Sequence, residues 1–167
     1  MDEKRITELE RRIEELLRIV KSVSDDEKKY RAMVESANSI IINVDRQGRL
    51  TFINEYAENF FGYSKSELLG KKIVGTIFPY NESSGRDMEE LIDRITQSPE
   101  AFKNNESENI TKDGRRVWIS WTNRGIYDAD GRLSGIISVG NDITAQKDME
   151  RALREGKIEW ENIFDAI

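Results

Sequence analysis

The chain has 167 residues and a net charge of −6, with 37% apolar and 35% charged side chains, which fits one folded domain with charged extensions. It contains no cysteine and no histidine, so disulfides, thiolate or histidine metal sites, cysteine nucleophiles and a phospho-accepting histidine are excluded. No apolar run approaches the roughly 20 residues of a membrane helix, and no basic stripe suited to nucleic acid is present. We therefore expect a cytoplasmic protein with no membrane segment in this chain, no nucleic-acid partner and no metal.

Residues 2–23 carry apolar side chains at alternating spacings of three and four, which is the heptad pattern of a coiled coil. The a positions of the heptads hold the β-branched residues Ile6, Ile13 and Val20, which favour a parallel two-stranded coil and hence a parallel homodimer. The predicted dimer seam consists of Ile6, Leu9, Ile13, Leu16, Val20 and Val23. The alternative is one amphipathic helix packed on its own domain. Ser24 and Glu27 also form a capping-box pattern, so helix 1–37 is either continuous or broken near Asp25.

The middle of the chain alternates between strand and helix signals. Residues 39–45 are β-branched and predict a hairpin with 49–54. Residues 86–97 have the apolar spacing of an amphipathic helix, which Pro99 ends. Between hairpin and helix, capping residues predict two short helices, one at Glu55–Phe61 after Asn54 and one after Ser64.

Three further strands are predicted at about 102–111, 115–127 and 132–142, because Asp-Gly turns separate these β-rich segments. From Thr144 the pattern is helical to the end of the chain. Hairpin connections give an antiparallel sheet, so the element order predicts an α+β fold. It comprises a five-stranded antiparallel sheet with short helices over one face, flanked by N- and C-terminal helices.

Three stretches resemble the PAS sensory domain family and occur in the family's order: GRLTFINEYAENFFGYSKSELLGKKI (48–73), TKDGRRVWISW (111–121) and YDADGRLSGIISVGNDIT (127–144). The resemblance covers nearly all of 27–155. It implies a PAS fold whose sheet and short helices enclose a small cavity, and a coiled-coil dimer that signals to an output domain.

The resemblance divides the chain into an N-terminal coiled-coil helix (1–26), a PAS domain (27–144) and a C-terminal signalling helix (145–167). Residues 160–167 echo the pattern of 30–37, which leads into the PAS core. We therefore expect a second PAS domain to follow. The chain is then a fragment of a multidomain sensor such as a histidine kinase or a cyclic-dinucleotide signalling protein.

Asp142-Ile143-Thr144 looks like the junction that joins the last strand of the family to its outgoing helix. We expect Thr144 to cap that helix through its hydroxyl. We expect Asp142 to bond a basic group near the 114–116 hairpin. The alternative is an ordinary cap with a surface salt bridge.

Period-two alternation, phased by the resemblance, turns one face of the sheet toward the short helices. The predicted ligand-binding residues are Ile42, Val44, Phe60, Asn109, Ile119, Trp121, Asn123, Ile136 and Ser138, and Ile77, Leu91 and Ile95 could complete the opposite wall. An apolar cavity with a few polar groups suits a small metabolite. The alternative is a collapsed core in which the polar side chains only satisfy backbone groups.

The resemblance also bears on cofactors. Without cysteine or histidine, the covalent flavin, covalent chromophores and haem of related domains have no attachment point. Gly140 stands where flavin-binding relatives carry a flavin-amide contact, so no cofactor is expected. Non-covalent flavin and a small metabolite stay open without support from the sequence.

The predicted function is a regulatory sensor module in signal transduction of the two-component type. In this interpretation a dimeric PAS domain relays ligand or packing changes to an output domain outside the chain. The alternative is a ligandless dimerisation and spacer module that mediates protein–protein interaction. We expect no catalytic residues and no enzymatic activity in the chain itself.

Overall fold

The computed structural model describes the backbone of residues 3–165 and the side chains of residues 5, 9, 11–161 and 163. The described residues form two compact units that divide between Ala37 and Asn38. The first unit is one uninterrupted helix, α1 (Glu3–Glu35). Of the two alternatives for this segment, the continuous helix is therefore the one observed, and α1 runs through the predicted boundary at residue 26.

The second unit contains the sheet and four further α-helices. Its elements in chain order are β1 (Ile40–Asp45), β2 (Leu50–Ile53), α2 (Glu55–Phe61), α3 (Lys65–Leu68), α4 (Met88–Gln97), a 3-10 turn (Pro99–Phe102), β3 (Asn104–Ile110), β4 (Arg116–Tyr127), β5 (Leu133–Asp142) and α5 (Thr144–Asp165). The strands lie in the order β2-β1-β5-β4-β3, and each neighbouring pair is antiparallel. The predicted α+β fold with a five-stranded antiparallel sheet is thus confirmed.

The β1–β2 turn shows how local chemistry sets the hairpin. The Asp45 carboxylate accepts hydrogen bonds from the backbone N–H groups of Gln47 and Arg49, each at 2.9 Å. Gly48 adopts a φ of 70°, a conformation that costs little without a Cβ. An aspartate followed by a left-handed glycine therefore closes this turn.

Asn54 joins the first strand to the first short helix. Its Oδ1 accepts from the N–H of Ala57 at 3.2 Å, which caps α2 as the sequence predicts, and from the N–H of Ile41 at 3.0 Å. Its Nδ2 donates to the carbonyl of Ser39 at 3.0 Å. Asn54 is completely buried, so one side chain satisfies three backbone groups that would otherwise be unpaired in the core.

The core lies between the inner face of the sheet and the short helices. Alternate residues of the strands point inward, as predicted from the period of two. The apolar face of α4 packs against the same cluster. The largest buried side chains are Trp121, Phe61, Ile40, Ile42, Leu50, Ile53, Leu68, Ile77, Met88, Ile119, Ile136 and Val117.

Within its own unit, α1 exposes its predicted seam. Leu9, Ile13, Leu16, Val20 and Val23 are between 49% and 63% exposed, and the side chain of Ile6 lies outside the described ones. Leu17 and Ile19 are 63% and 54% exposed beside the seam. The apolar stripe is therefore wider in its middle than the strict heptad pattern that the sequence prediction assumed.

The second flanking helix, α5, also exposes apolar side chains. They are Met149, Leu153, Ile158, Trp160 and Ile163. Ile167, which extends the same spacing in the sequence, lies outside the described residues. None of the helices within residues 3–165 combines the length and apolarity needed to span a bilayer.

Candidate functional site

The inner face of the sheet and α4 enclose a cavity of about 20 Å³. Such a volume accommodates about one water molecule, whereas sites for small molecules measure roughly 300–1,000 Å³. The cavity is lined by Ile42, Val44, Ile73, Phe78, Ile92, Ile95, Thr96, Asn105, Trp121, Asn123, Ile136 and Ser138.

Trp121 is a buried residue of the core and lines the cavity. Its ring stacks on Phe78 with centroids 5.7 Å apart and an interplanar angle of 26°. The same ring lies against Gly140 on the neighbouring strand. A Cβ at position 140 would come within 2.7 Å of the indole. Glycine at 140 therefore allows the indole to lie flat on the sheet, and the indole leaves the cavity small.

Two hydrogen-bond networks satisfy the polar groups beside the cavity. In the first, Asn123 Nδ2 donates to the Phe102 carbonyl and to Asn105 Oδ1, both at 2.7 Å. Asn123 Oδ1 accepts from the Ser138 hydroxyl at 2.7 Å. This network ties β4 and β5 to the 3-10 turn.

The second network centres on Asn109, which is fully buried. Its Nδ2 donates to the Ile77 carbonyl at 3.0 Å. Its Oδ1 accepts from the Ser107 hydroxyl at 3.1 Å and from Trp121 Nε1 at 3.3 Å. Each amide atom of this side chain thus has a partner, so Asn109 holds Trp121 in place without needing a ligand.

Residues 79–87, which we call the strap, connect the cavity wall at Phe78 to α4. Two almost fully buried carboxylates attach the strap to β3, the edge strand. Glu108 of β3 accepts from the Ser83 N–H at 2.6 Å and the Ser83 hydroxyl at 2.8 Å. Glu82 of the strap accepts from the Glu108 N–H at 2.9 Å. The Glu108 N–H, which lies on the outer edge of β3, is thereby hydrogen-bonded and not left without a partner.

Two arginines neutralise these buried carboxylates. Arg116 of β4 donates to Glu108 at 2.6 Å, and Arg86 of the strap donates to Glu82. Arg86 also donates to the Glu106 carbonyl at 2.8 Å. Buried carboxylates without such partners would be strongly destabilising, so the strap and its arginines form one interdependent unit.

The β5–α5 junction is held by Trp118, an outward-facing residue of β4. The Trp118 N–H donates to the Thr144 hydroxyl at 2.9 Å, and the Trp118 carbonyl accepts from the Ile143 N–H at 2.9 Å. Asp142 accepts from the Thr144 N–H at 2.9 Å and from its hydroxyl at 2.5 Å. The first residues of α5 are therefore bonded to a central strand and not only to the strand that precedes them.

This fold is that of a known family. The sequence model of the PAS fold matches residues 28–143, more than half of the chain. The chain belongs to the PAS family. The resemblance read from the three sequence stretches is thus confirmed. The matched residues include the whole five-stranded sheet, and a PAS domain is a sensory module.

The PAS domain has curated relatives among bacterial sensor kinases. Sporulation kinase C of Bacillus subtilis is 25% identical over 150 residues, covering 86% of this chain and 34% of that protein. Sensor protein kinase WalK of Staphylococcus haemolyticus is 28% identical over 136 residues, covering 80% of this chain and 20% of that protein. The chain thus spans about a third or less of the length of these relatives.

Solved PAS domains share the fold. The crystal structure of a PAS domain from Colwellia psychrerythraea superposes with a TM-score of 0.60 at 23% identity. The match covers 71% of this chain and 97% of that one. At this identity the likeness concerns the fold alone.

The PAS domain brings most of the predicted ligand-binding residues together. Ile42, Val44, Trp121, Asn123, Ile136 and Ser138 line the cavity. Asn109 and Ile119 are buried in the core but do not line the cavity. Whether any of these residues binds a ligand stays a prediction.

Phe60 lies away from the cavity, in a surface depression that it shares with Gly62, Lys112 and Arg115. The sequence prediction placed Phe60 on the cavity wall opposite the sheet. In the seven-residue helix α2 the inward positions belong instead to Ala57 and Phe61. Phe60 packs edge-on against the Phe61 ring at 5.1 Å and remains partly exposed.

Sequence reasoning missed several cavity residues, namely Ile73, Phe78, Ile92, Thr96 and Asn105. Ile92 was visible as part of the apolar face of α4, and Asn105 lies two residues before the buried Ser107 on β3. The segment with Ile73 and Phe78 has no regular secondary structure, so no periodicity identified its inward side chains.

The junction residues make other contacts than the sequence predicted. The Thr144 hydroxyl accepts from a strand N–H and not from the first turn of α5. Asp142 bonds Thr144 and not a basic group near the 114–116 hairpin, where Arg116 bonds Glu108. Trp118 was missed because only a tertiary contact identifies it.

The strap gives the domain a testable pH dependence through Glu108. Burial alone would raise the pKa of Glu108, but hydrogen bonds from Ser83 and Arg116 outweigh it and hold the pKa below its ordinary 4.5. A lowered folded-state pKa contributes stability above pH 4.5, and this contribution is lost as the pH falls through the folded pKa. We expect Glu108→Gln to lower the free energy of unfolding by about 1–3 kcal/mol at pH 7, and the difference from wild type to shrink below pH 4.5.

Urea denaturation at pH 7, 5 and 3 measures this difference. Glu89→Gln is the matched control, because Glu89 is half exposed and pairs with Lys72 at 3.6 Å; an exposed pair of this kind contributes little. A Glu108→Gln deficit that is as large at pH 3 as at pH 7 would contradict the assignment.

Proposed function

We propose that this chain is the regulatory sensor module of a signal-transduction protein. In this proposal the PAS domain (27–144) lies between a coiled-coil helix (1–26) and a signalling helix (145–167), and the module is cytoplasmic. It relays ligand or packing changes to an output domain of the full-length protein. The names of the relatives, sporulation kinase C and sensor protein kinase WalK, support a kinase as that output. The kinase activity would reside outside this chain.

The observation that carries the proposal is the attachment of α5 to Trp118. Both backbone groups of Trp118 bond residues at the start of α5. Its neighbour in β4, Ile119, faces the core and is completely buried. A shift of β4 caused by repacking of the core would therefore move the start of α5. Such an arrangement links the interior of the PAS domain to a helix that leaves it.

The exposed stripe of α1 supports a parallel homodimer. Five apolar side chains of the predicted seam are about half exposed or more within the unit, and burial against a second copy would remove them from water. Leu17 and Ile19 broaden the stripe, and wider stripes suit bundles of more than two helices. Light scattering distinguishes a dimer from a larger assembly of this kind.

A ligandless dimerisation and spacer module is the second candidate. The cavity of about 20 Å³ and the paired polar atoms of Asn109 and Asn123 favour it over a metabolite receptor. In a spacer, the PAS domain would hold two chains together without altering the output. A sensor that responds to changes in core packing without binding a ligand is compatible with the same small cavity. It differs from a spacer because a change at the β5–α5 junction would alter the output.

The experiment fuses the chain to a histidine-kinase output domain and replaces Asp142 and Thr144 with alanine. Loss of the hydrogen bonds around Thr144 should cost about 1 kcal/mol. We expect amides 145–153 to exchange faster with solvent, together with the Trp118 amide, which loses its acceptor, while 119–123 and 134–140 keep their protection. The basal autophosphorylation of the fusion should change because the helix start is released.

Thr111→Ala with Asp113→Ala is the matched control. These residues form the same hydroxyl–carboxylate pair in the β3–β4 turn, which leads into no signalling helix. Faster exchange in 145–153 with unchanged autophosphorylation would favour the spacer. Unchanged exchange would mean that the junction is only a turn.

A further inference from the structure

Glu106 of β3 contacts two parts of the PAS domain that are far apart in sequence. Its backbone carbonyl accepts from Arg86 of the strap at 2.8 Å. Its carboxylate pairs with Lys147 of α5 at 2.5 Å. One residue of the edge strand thus touches both the segment next to the cavity wall and the first turns of the outgoing helix.

Lys147 is fixed from several sides. Its side chain is 26% exposed, and its Nζ lies 5.5 Å from the centre of the Trp118 ring, within the range of a cation–π contact. Its backbone N–H donates to the Ile143 carbonyl at 2.9 Å. The hydrogen bond with Glu106 raises the pKa of Lys147 above its ordinary 10.5, so the ion pair persists across neutral pH.

Arg86 is equally constrained at the other end. It pairs with Glu82, whose side chain is 3% exposed, and Glu82 in turn accepts from the Glu108 N–H. Ser83 bonds Glu108 in the same segment. The strap therefore cannot leave the β3 edge without releasing the Glu106 carbonyl and exposing buried carboxylates.

We propose that Glu106 is a positioning residue that couples the strap to α5, through its carbonyl to Arg86 and its carboxylate to Lys147. When the strap moves away from the sheet, the hydrogen bond from Arg86 to the Glu106 carbonyl breaks and β3 is free to move at this point. The ion pair between the Glu106 carboxylate and Lys147 is then weakened. The coupling is a second route to the signalling helix, beside the one through Trp118. It deepens the proposed function and rests on α5 being the outgoing helix.

Hydrogen exchange in this chain alone tests the coupling, so its result does not depend on any output domain. Lys147→Met keeps an apolar stem over Trp118 and removes the charge. It should raise the exchange of amides 145–150 about two- to fivefold, the scale of a partly exposed ion pair. Arg86→Met should raise exchange in the strap and, because of the coupling, also in 145–150.

The double variant decides between coupling and two separate local effects. With coupling, Lys147→Met and Arg86→Met together should raise exchange in 145–150 by less than the product of their single effects. Arg151→Met is the control, since Arg151 lies one turn further along α5 and pairs with Asp148 at 3.7 Å. It should leave the strap and amides 145–150 unchanged.

Arg86→Lys provides a milder variant in case Arg86→Met fails to fold. It keeps a charge for Glu82 but cannot reproduce the planar fork of the guanidinium, so it should raise exchange in 145–150 in the same direction. The coupling would be overturned if both Arg86 variants raised exchange in the strap alone. It would also be overturned if the effects of the two substitutions on amides 145–150 were fully multiplicative in the double variant. Neither result would contradict the proposed sensor function.

Discussion

Replacing Trp121 with alanine is expected to lower the free energy of unfolding by about 3–5 kcal/mol. The indole is 2% exposed, stacks on Phe78 and donates to Asn109 Oδ1. Its removal would leave a large cavity beside Gly140 and an asparagine that loses one partner. Because whole domains are stable by only about 5–15 kcal/mol, this substitution should cost a large share of the total. Denaturant unfolding followed by circular dichroism measures it.

Indole itself provides the sharper measurement. A buried apolar cavity made by truncation can bind an aromatic molecule of matching shape, and a ligand that binds only the folded state stabilises it. Added indole should therefore raise the Tm of Trp121→Ala further as its concentration increases, and leave the wild-type Tm unchanged. Ile158→Ala, on the exposed side of α5, is the control and should change stability by less than about 0.5 kcal/mol. A Trp121→Ala protein as stable as wild type would show that the ring is not a core element.

The strands could be predicted from sequence because two signals agreed. β-Branched residues indicated β1, β4 and β5, and Asp-Gly turns marked strand ends, as in the turn at Asp128–Gly131, where Asp128 accepts from the Arg132 N–H at 2.8 Å. β3 has one β-branched residue and begins at Asn104, after the predicted start at about 102. The length of α1 could not be predicted from caps alone. Ser24 and Glu27 have capping chemistry, but the heptad phase continues through Tyr30 and Val34, and the helix continues to Glu35.

The candidate site was predictable where it lies on regular elements. Strand alternation placed Ile42, Trp121 and Ser138 on the cavity side. It could not indicate how much of the cavity is filled, because the rotamer of Trp121 depends on Gly140 and Phe78, which are distant in sequence. The strap is a further case: Glu82, Arg86 and Glu108 look like ordinary surface charges in a chain with 35% charged residues, and only the fold buries the carboxylates.

Replacing Ile13 with glutamate is expected to convert the proposed dimer to a monomer. Ile13 is the middle one of the three residues at the a position of the predicted heptads, between Ile6 and Val20, and it is 56% exposed within its own unit. In a parallel coil the two copies of this position face each other. The substitution would place two carboxylates against each other in an apolar seam, where unpaired charges are costly to bury. Light scattering at several protein concentrations, with sedimentation as a second measurement, reports the mass.

Arg18→Gln is the matched control for charge, since it changes the net charge by the same amount at an outward heptad position and should leave the dimer intact. Because α1 and the sheet belong to separate compact units, Ile13→Glu should leave the sheet folded, with its thermal transition unchanged at high protein concentration. A wild-type protein that is already monomeric would contradict the coiled-coil dimer. If the wild-type protein is a tetramer and Ile13→Glu dissociates it, the apolar stripe that Leu17 and Ile19 broaden would instead pack in a bundle of more than two helices.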